Sequence, residues 1–200
     1  MTLKYIARNP YLVRSVVQAI EVSFTEDFTA IISGLRSGVY AGSLADELAG
    51  KLASRETLFA GEVIRAEIHD YVSHLVRSGE PIYIHRTSLG AGAYCLTHDN
   101  HIDGPKPPCI DSHSLAGGSL PNPNNCHIEC RNLILLDAAK TGLRQNIVFY
   151  SNLVASGQLK ERTLGTIAKK VELSERRLVE LETRSASLYE IASFARKAQP

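Results

Sequence analysis

All four cysteines of the chain fall between residues 95 and 130. They lie in one stretch, residues 94–136, which reads YCLTHDNHIDGPKPPCIDSHSLAGGSLPNPNNCHIECRNLILL. Its Pro, Gly, Asn and Asp content favours turns over a long helix or a central strand. A connection longer than about 12–15 residues inside a compact domain needs something to hold it. The spacing is Cys-x13-Cys-x16-Cys-x3-Cys, so Cys126 and Cys130 form a local pair while Cys95 and Cys109 stand apart. Zinc takes four tetrahedral nitrogen or sulfur ligands, and closed structural sites use four cysteines or three with a histidine. The stretch therefore predicts a structural Zn2+ site on Cys95, Cys109, Cys126 and Cys130. His98, which follows Cys95 in a Cys-x2-His spacing, and His127 are the substitutes for one of them. Two other readings stay open: disulfides, which require an oxidising compartment, and four unrelated thiols in a polar loop. A catalytic zinc would need an open position and a placed general base, and no such base stands out.

The 200 residues allow one domain, or one domain with a helical appendage. Apolar residues make up 44% and charged residues 22%, which places the chain among globular proteins. The net charge of +1 gives no strong field toward DNA or membrane, so any nucleic-acid contact must come from a local patch. No apolar run approaches the roughly 20 residues of a membrane span. Lys4, Arg8 and Arg14 interrupt what would be the core of a signal peptide. The expectation is a soluble, cytoplasmic (nucleoid-associated) protein whose thiols stay reduced, with no membrane partner.

Asn9 and Pro10 form a helix start, a capping side chain followed by a residue whose missing N–H costs nothing there. Apolar residues from Val13 to Leu35 recur every three to four positions, and Gly38 is placed to end the helix. Ser43 is expected to cap LADELAGKLASR, and a third helix runs from about 62 to 78. PIYIHR, residues 81–86, alternates like a strand, with Pro81 marking it as an edge. Cys95 is expected to begin the loop. NLILL fits a short strand or the start of a helix. Asp137 is expected to cap the next helix, which Gly157 closes. Residues 158–200 read as helical and charge-rich, with opposite charges spaced for i,i+4 pairing.

Residues 163–181, TLGTIAKKVELSERRLVEL, have the rhythm of a helix-turn-helix. That motif usually has a Gly in its turn, where this chain offers Glu172 or Leu173, so a continuous helix or helical hairpin fits better. The candidate nucleic-acid contacts are Lys169, Lys170, Arg176 and Arg177. In a true helix-turn-helix the two arginines would open the recognition helix. Asp99, Asp103 and Asp111 read as turn formers with a secondary option of orienting ligand imidazoles. There is no phosphate-binding glycine loop and no His-Glu-x-x-His.

By itself, a Tyr so near an N-terminus is a surface or packing residue. In its setting, MTLKYI resembles the nucleophile segment of tyrosine recombinases, the phage-integrase family, where a Thr-Leu-x-Tyr run carries the attacking Tyr. FAGEVIRAEIHDYVSHLV resembles the helical tail of the large integrases of plasmids and integrative elements. PNPNNCHIECRNLILL resembles their closing Pro-x-x-x-x-Cys-x-x-x-Cys-x-Asn element. The shared order covers residues 1–155. The resemblance implies that Tyr5 attacks a scissile phosphodiester and forms a covalent protein–DNA intermediate, which splits one hard step into two. The family stabilises the transition state with Arg, Lys and His placed before that Tyr. Only four residues precede Tyr5 here, so the chain by itself is expected not to cut DNA.

The resulting expectation is a mainly α chain in three parts. Residues 1–9 are a nucleophile-like segment. Residues 10–157 are a helical domain with a loop-rich, zinc-clamped Cys/His insert and a short strand or hairpin. Residues 158–200 are a charged helical tail. The implied role is the C-terminal or accessory part of a DNA integrase. Its partners would be DNA, a recombinase catalytic half and other protomers, including homo-oligomer contacts. The alternative class is a stand-alone zinc-binding module for DNA or protein interaction. A thiol oxidoreductase fits poorly, because Cys126-x3-Cys130 lacks the Cys-x-x-Cys spacing.

Overall fold

The computed structural model describes residues 9–55, 59, 64–78, 82–98, 107–109 and 121–197. Helix α1 spans Pro10–Arg36. The Asn9 Oδ1 accepts the N–H of Tyr11 at 3.0 Å and of Leu12 at 3.4 Å, so the expected cap is in place. Only the C-terminal half of α1 is fully committed to the core, through Phe28, Ile31, Ile32 and Leu35. A 27-residue helix is about 40 Å long at 1.5 Å per residue. Tyr11, Leu12, Val13, Val16 and Ile20 remain exposed. Two acids on α1 are buried among the apolar residues. Glu21 meets Arg77 at 2.9 Å and Asp27 meets Arg86 at 2.8 Å.

The chain then forms β1 (Tyr40–Ala41), α2 (Ser43–Ala53), α3 (Ile64–Ser78), β2 (Ile82–Arg86) and β3 (Ala93–His98). After one 3-10 turn at Pro123–Asn125 come β4 (Leu133–Leu136), α4 (Ala139–Ala155) and α5 (Glu161–Lys197). The mainly helical expectation holds. A single strand or hairpin does not: the four strands form one antiparallel sheet in the order β1-β4-β3-β2. β2 is an edge, as Pro81 implied. Cys95 does not begin a loop. It sits mid-way along β3, opposite His85 of β2 and Leu133 of β4. The Gly and Ala residues ahead of it, which read as loop, are small because α4 lies against them. A Cβ on Gly92 would meet the Ala139 backbone nitrogen at 2.8 Å, and one on Gly142 would meet the Leu89 carbonyl at 2.5 Å.

Two expected caps move. Helix α2 is capped by the Gly42 backbone, whose carbonyl accepts the Asp46 N–H at 3.0 Å. Gly42 has φ 111°, a conformation suited to glycine, and Ser43 instead donates its hydroxyl to the Arg131 carbonyl at 3.3 Å. Helix α4 is preceded by Ala138, because β4 ends at Leu136 and Asp137 is used in the turn. Asp137 pairs with Lys140 and accepts its N–H at 3.2 Å. NLILL resolves as a strand, buried on both faces.

Side-chain alternation along the central strands sorts the core into two clusters. Ile134 and Leu136 of β4 join Tyr94, Ile84 and the buried faces of α1, α2 and α3. Leu133 and Leu135 join Ala41, Ala93, Ile128, Cys130, Leu143 of α4 and Leu181 of α5. The helix-turn-helix rhythm at 163–181 is not realised as two helices. α5 runs unbroken for 37 residues. It packs along α4 and β1. Arg184 fastens it, at 2.7 Å from Asp46 and 4.3 Å from the Tyr40 ring centroid. Among the described residues no helix is long and apolar enough to cross a membrane.

Candidate metal site

The second cluster contains Cys130, with Cys126 packed against it. Cys95 reaches it from β3 on the same face as Ala93 and Thr97. Cys126 and Cys130 flank the turn that leads into β4. Asn122 shapes the approach by accepting the Asn124 N–H at 3.0 Å. The Cys130 N–H closes the turn on the His127 carbonyl at 2.9 Å, and the Cys130 carbonyl accepts Leu133 N–H at 3.1 Å. Cys109, within the short described segment 107–109, is buried to 3% exposure. Cys95 and Cys130 are buried as well, and Cys126 is half-buried. All four sulfurs are free.

Their mutual influence places them together. Burial pushes the Cys95 thiol up to about 12, and the charges that Cys126, Cys130 and Cys109 would carry push in the same direction. Cys126 is likewise pushed up to about 12 by burial, then by Cys130 and Cys109. Burial raises Cys130 too, and Cys109 adds to it. Residues separated by up to 35 positions, from Cys95 to Cys130, thus share one electrostatic neighbourhood. Without a cation this is a poor place for thiolates, because burial and like charge both favour the neutral form.

Several groups nevertheless favour thiolate. Backbone N–H groups of Asn132 and Leu133 bond the Cys130 sulfur. The Thr87 hydroxyl does the same for Cys126, whose thiol also donates to the His127 carbonyl at 4.0 Å. Two buried polar atoms in these segments, Thr97 Oγ1 and Asn132 Nδ2, make no hydrogen bond. Among the described residues, no three His, Cys, Asp or Glu side chains are drawn into a coordination shell. The sulfurs are within electrostatic reach of one another without forming a closed tetrahedron. The donor set still fits zinc chemically: four soft sulfurs, three of them buried, and N–H groups aimed at the Cys130 sulfur in the manner of an outer hydrogen-bonding shell.

The other predicted residues separate. His127 is half-buried and lines a cleft beside the thiols. His98 ends β3, and its side chain lies outside the described residues, as do Asp99, Asp103 and Asp111. Tyr5 also lies outside them. The four basic candidates are all on α5, and each has a neighbour. Lys169 pairs with Glu129 at 3.3 Å, and Lys170 stands 5.9 Å from the Tyr150 ring centroid. Arg176 pairs with Glu172 at 3.1 Å, and Arg177 with Glu180 at 2.8 Å. Sequence reasoning missed Thr87, Asn132, Arg162 and Tyr150 as residues of this region. The Cys-x-Asn spacing was the available signal for Asn132. No family model, no curated protein and no solved structure matches the chain.

Proposed function

We propose that the chain is the C-terminal or accessory part of a site-specific DNA integrase of the tyrosine-recombinase type. It is stabilised by zinc on Cys95, Cys109, Cys126 and Cys130, it contacts DNA or other protomers, and it is not catalytic alone. The observation that carries this reading is the start of α1. Leu12, Val13, Val16 and Ile20 fall within about 100° of one another around the helix at 3.6 residues per turn, and the core leaves all four exposed. Arg14 is the only charged residue among positions 10–20. A contiguous apolar surface of this kind marks a contact with another protein surface. It follows directly on the Thr2-Leu3-Lys4-Tyr5 run, where a catalytic half would join.

Zinc in this reading is structural. It would tie β3, residue 109 and the turn before β4 into one unit, and it would reverse the electrostatic penalty on the thiolates. Tyr5 would act only in a full recombinase, beside the Arg, Lys and His of an upstream half. Its hydroxyl oxygen would then bond to phosphorus as the bond to the leaving sugar oxygen breaks.

The test is the DNA upstream of the Met1 codon. The reading expects an open frame that encodes Arg, Lys, a His-x-x-Arg run and a Gly-His pair ahead of Tyr5. Stop codons and a ribosome-binding site abutting Met1 would overturn it in favour of a stand-alone zinc-binding interaction module.

A further inference from the structure

A cleft of about 670 Å³ opens between the cysteine turn, α4 and the first turns of α5. It falls in the size range of ligand sites. Its chemistry is set by Asn146 and Tyr150 from α4 and by Arg162, Thr166, Lys169 and Lys170 from α5. Three cations here face two carboxylates, Glu129 and Glu161. One of those acids is occupied, since Lys169 pairs with Glu129. Among the described residues, the Arg162 guanidinium makes no hydrogen bond or ion pair. Tyr150 presents a half-buried ring, braced edge-on by the exposed Phe149 at 5.3 Å between centroids.

Gly165 lies in the wall of the same cleft, in the second turn of α5. A Cβ there would meet nothing within 4 Å. Glycine inside a helix is destabilising relative to alanine, and no neighbouring atom demands it. What the missing side chain does provide is a bare stretch of helix backbone facing the cleft.

We infer that this cleft binds an unpaired nucleotide of a DNA strand. The phosphate lies against Arg162 and Lys170 over the bare backbone at Gly165, and the base rests on the Tyr150 ring. Cations that track phosphates beside an aromatic platform are the shared chemistry of single-strand binding. A concave cleft of this volume takes one extruded nucleotide and excludes a duplex. The inference rests on the DNA-contacting part of the reading above and extends it to a site that does not include Arg176 and Arg177.

The experiment is fluorescence anisotropy of the purified full chain with a labelled single-stranded oligonucleotide of mixed sequence, titrated at several salt concentrations. Arg162→Gln and Lys170→Gln should each weaken binding several-fold. Each should also flatten the salt dependence, by about 0.7 in log–log slope where a cation no longer neutralises one single-strand phosphate. Tyr150→Ala should weaken binding roughly tenfold, the range for removing one base–aromatic stack. Gly165→Leu separates binding from folding. It should leave thermal stability equal or higher while reducing affinity more than tenfold. Lys51→Gln, on α2 and outside the cleft lining, should leave binding unchanged. Unaltered binding in the Arg162, Lys170 and Gly165 variants would overturn the inference, as would equal weakening by Lys51→Gln or tighter binding of the matching duplex. A missing upstream frame would sink the integrase reading and leave this site standing. An intact frame with no single-strand binding would do the reverse.

Discussion

The two faces of the sheet are built on different principles. The face toward α1, α2 and α3 is filled with large side chains: Ile31, Ile68, Val72, Ile84 and Ile134 are all almost completely buried. Phe28, Phe59 and Tyr71 add an aromatic group with centroids 5.6–6.0 Å apart. The face toward α4 and α5 has Leu133, Leu135, Leu143 and Leu181, but much of the rest is Ala41, Ala93, Ala139 and sulfur. The first face is held by hydrophobic burial of helices that follow one another in sequence. The second draws together β3, residue 109, the turn at 126–130 and the distant α5. Its thiols are costly to ionise where they sit. The difference teaches that one face is complete as a protein core, whereas the other depends, in the reading proposed above, on a zinc cross-link.

The largest effect should come from cutting that cross-link. Cys130→Ser should release the metal and unfold the second face, since apparent zinc binding in small metal-held domains reaches about 10–16 kcal/mol at neutral pH. Hydrogen exchange should show new opening at residues 126–136 while α1 and α3 keep their protection. Equal loss on both faces would break the comparison. Next is Ile68→Ala on the first face, which leaves a cavity at a site with no exposure. It should cost about 2–5 kcal/mol in a denaturant titration, with zinc content unchanged.

A smaller effect is expected at the close approach of α4 to the β2–β3 turn. Gly142→Ala would press a methyl against the Leu89 carbonyl and the Gly90 Cα. It should cost about 1–3 kcal/mol, read as a lowered thermal midpoint. The smallest effect at neutral pH is the titration of the metal-free protein. Cys95 and Cys126 ionise near 12 in the folded state against an ordinary value of 9. Below 9 both folded and unfolded chains hold these protons, so this contribution is fully present. Between about 9 and 12 the unfolded chain releases them first, and stability falls as pH rises. Zinc-loaded protein should show no such fall in that window, because its thiols are already ionised. Parallel pH curves for the two forms would show that the sulfurs hold no metal.

Much of the first face was legible because helical periodicity reports burial directly. Phe28, Ile31 and Leu35 sit where the stripe puts them, and Asn9 caps as its side chain allows. The stripe does not reveal Glu21 and Asp27, which are buried because Arg77 and Arg86 arrive from α3 and β2. Nor does it reveal that its own beginning lies outside the core. The second face was legible only through its cysteines. Strand β3 was hidden because Gly92, Ala93 and Cys95 are small, and smallness there follows from the approach of α4, a tertiary cause without local periodicity. The cleft was hidden for a similar reason. Arg162 and Tyr150 belong to different helices, and only the packing of α4 on α5 brings them to one opening.

The most direct measurement is the metal content of the purified wild-type chain, beside the count of thiols that react before and after chelation. A single four-ligand site predicts about one zinc per chain. It also predicts four cysteines that react only once the metal is removed, and a lower thermal midpoint afterwards. A metal-free protein of full stability, or zinc retained when Cys126 and Cys130 are both replaced by Ser, would contradict it.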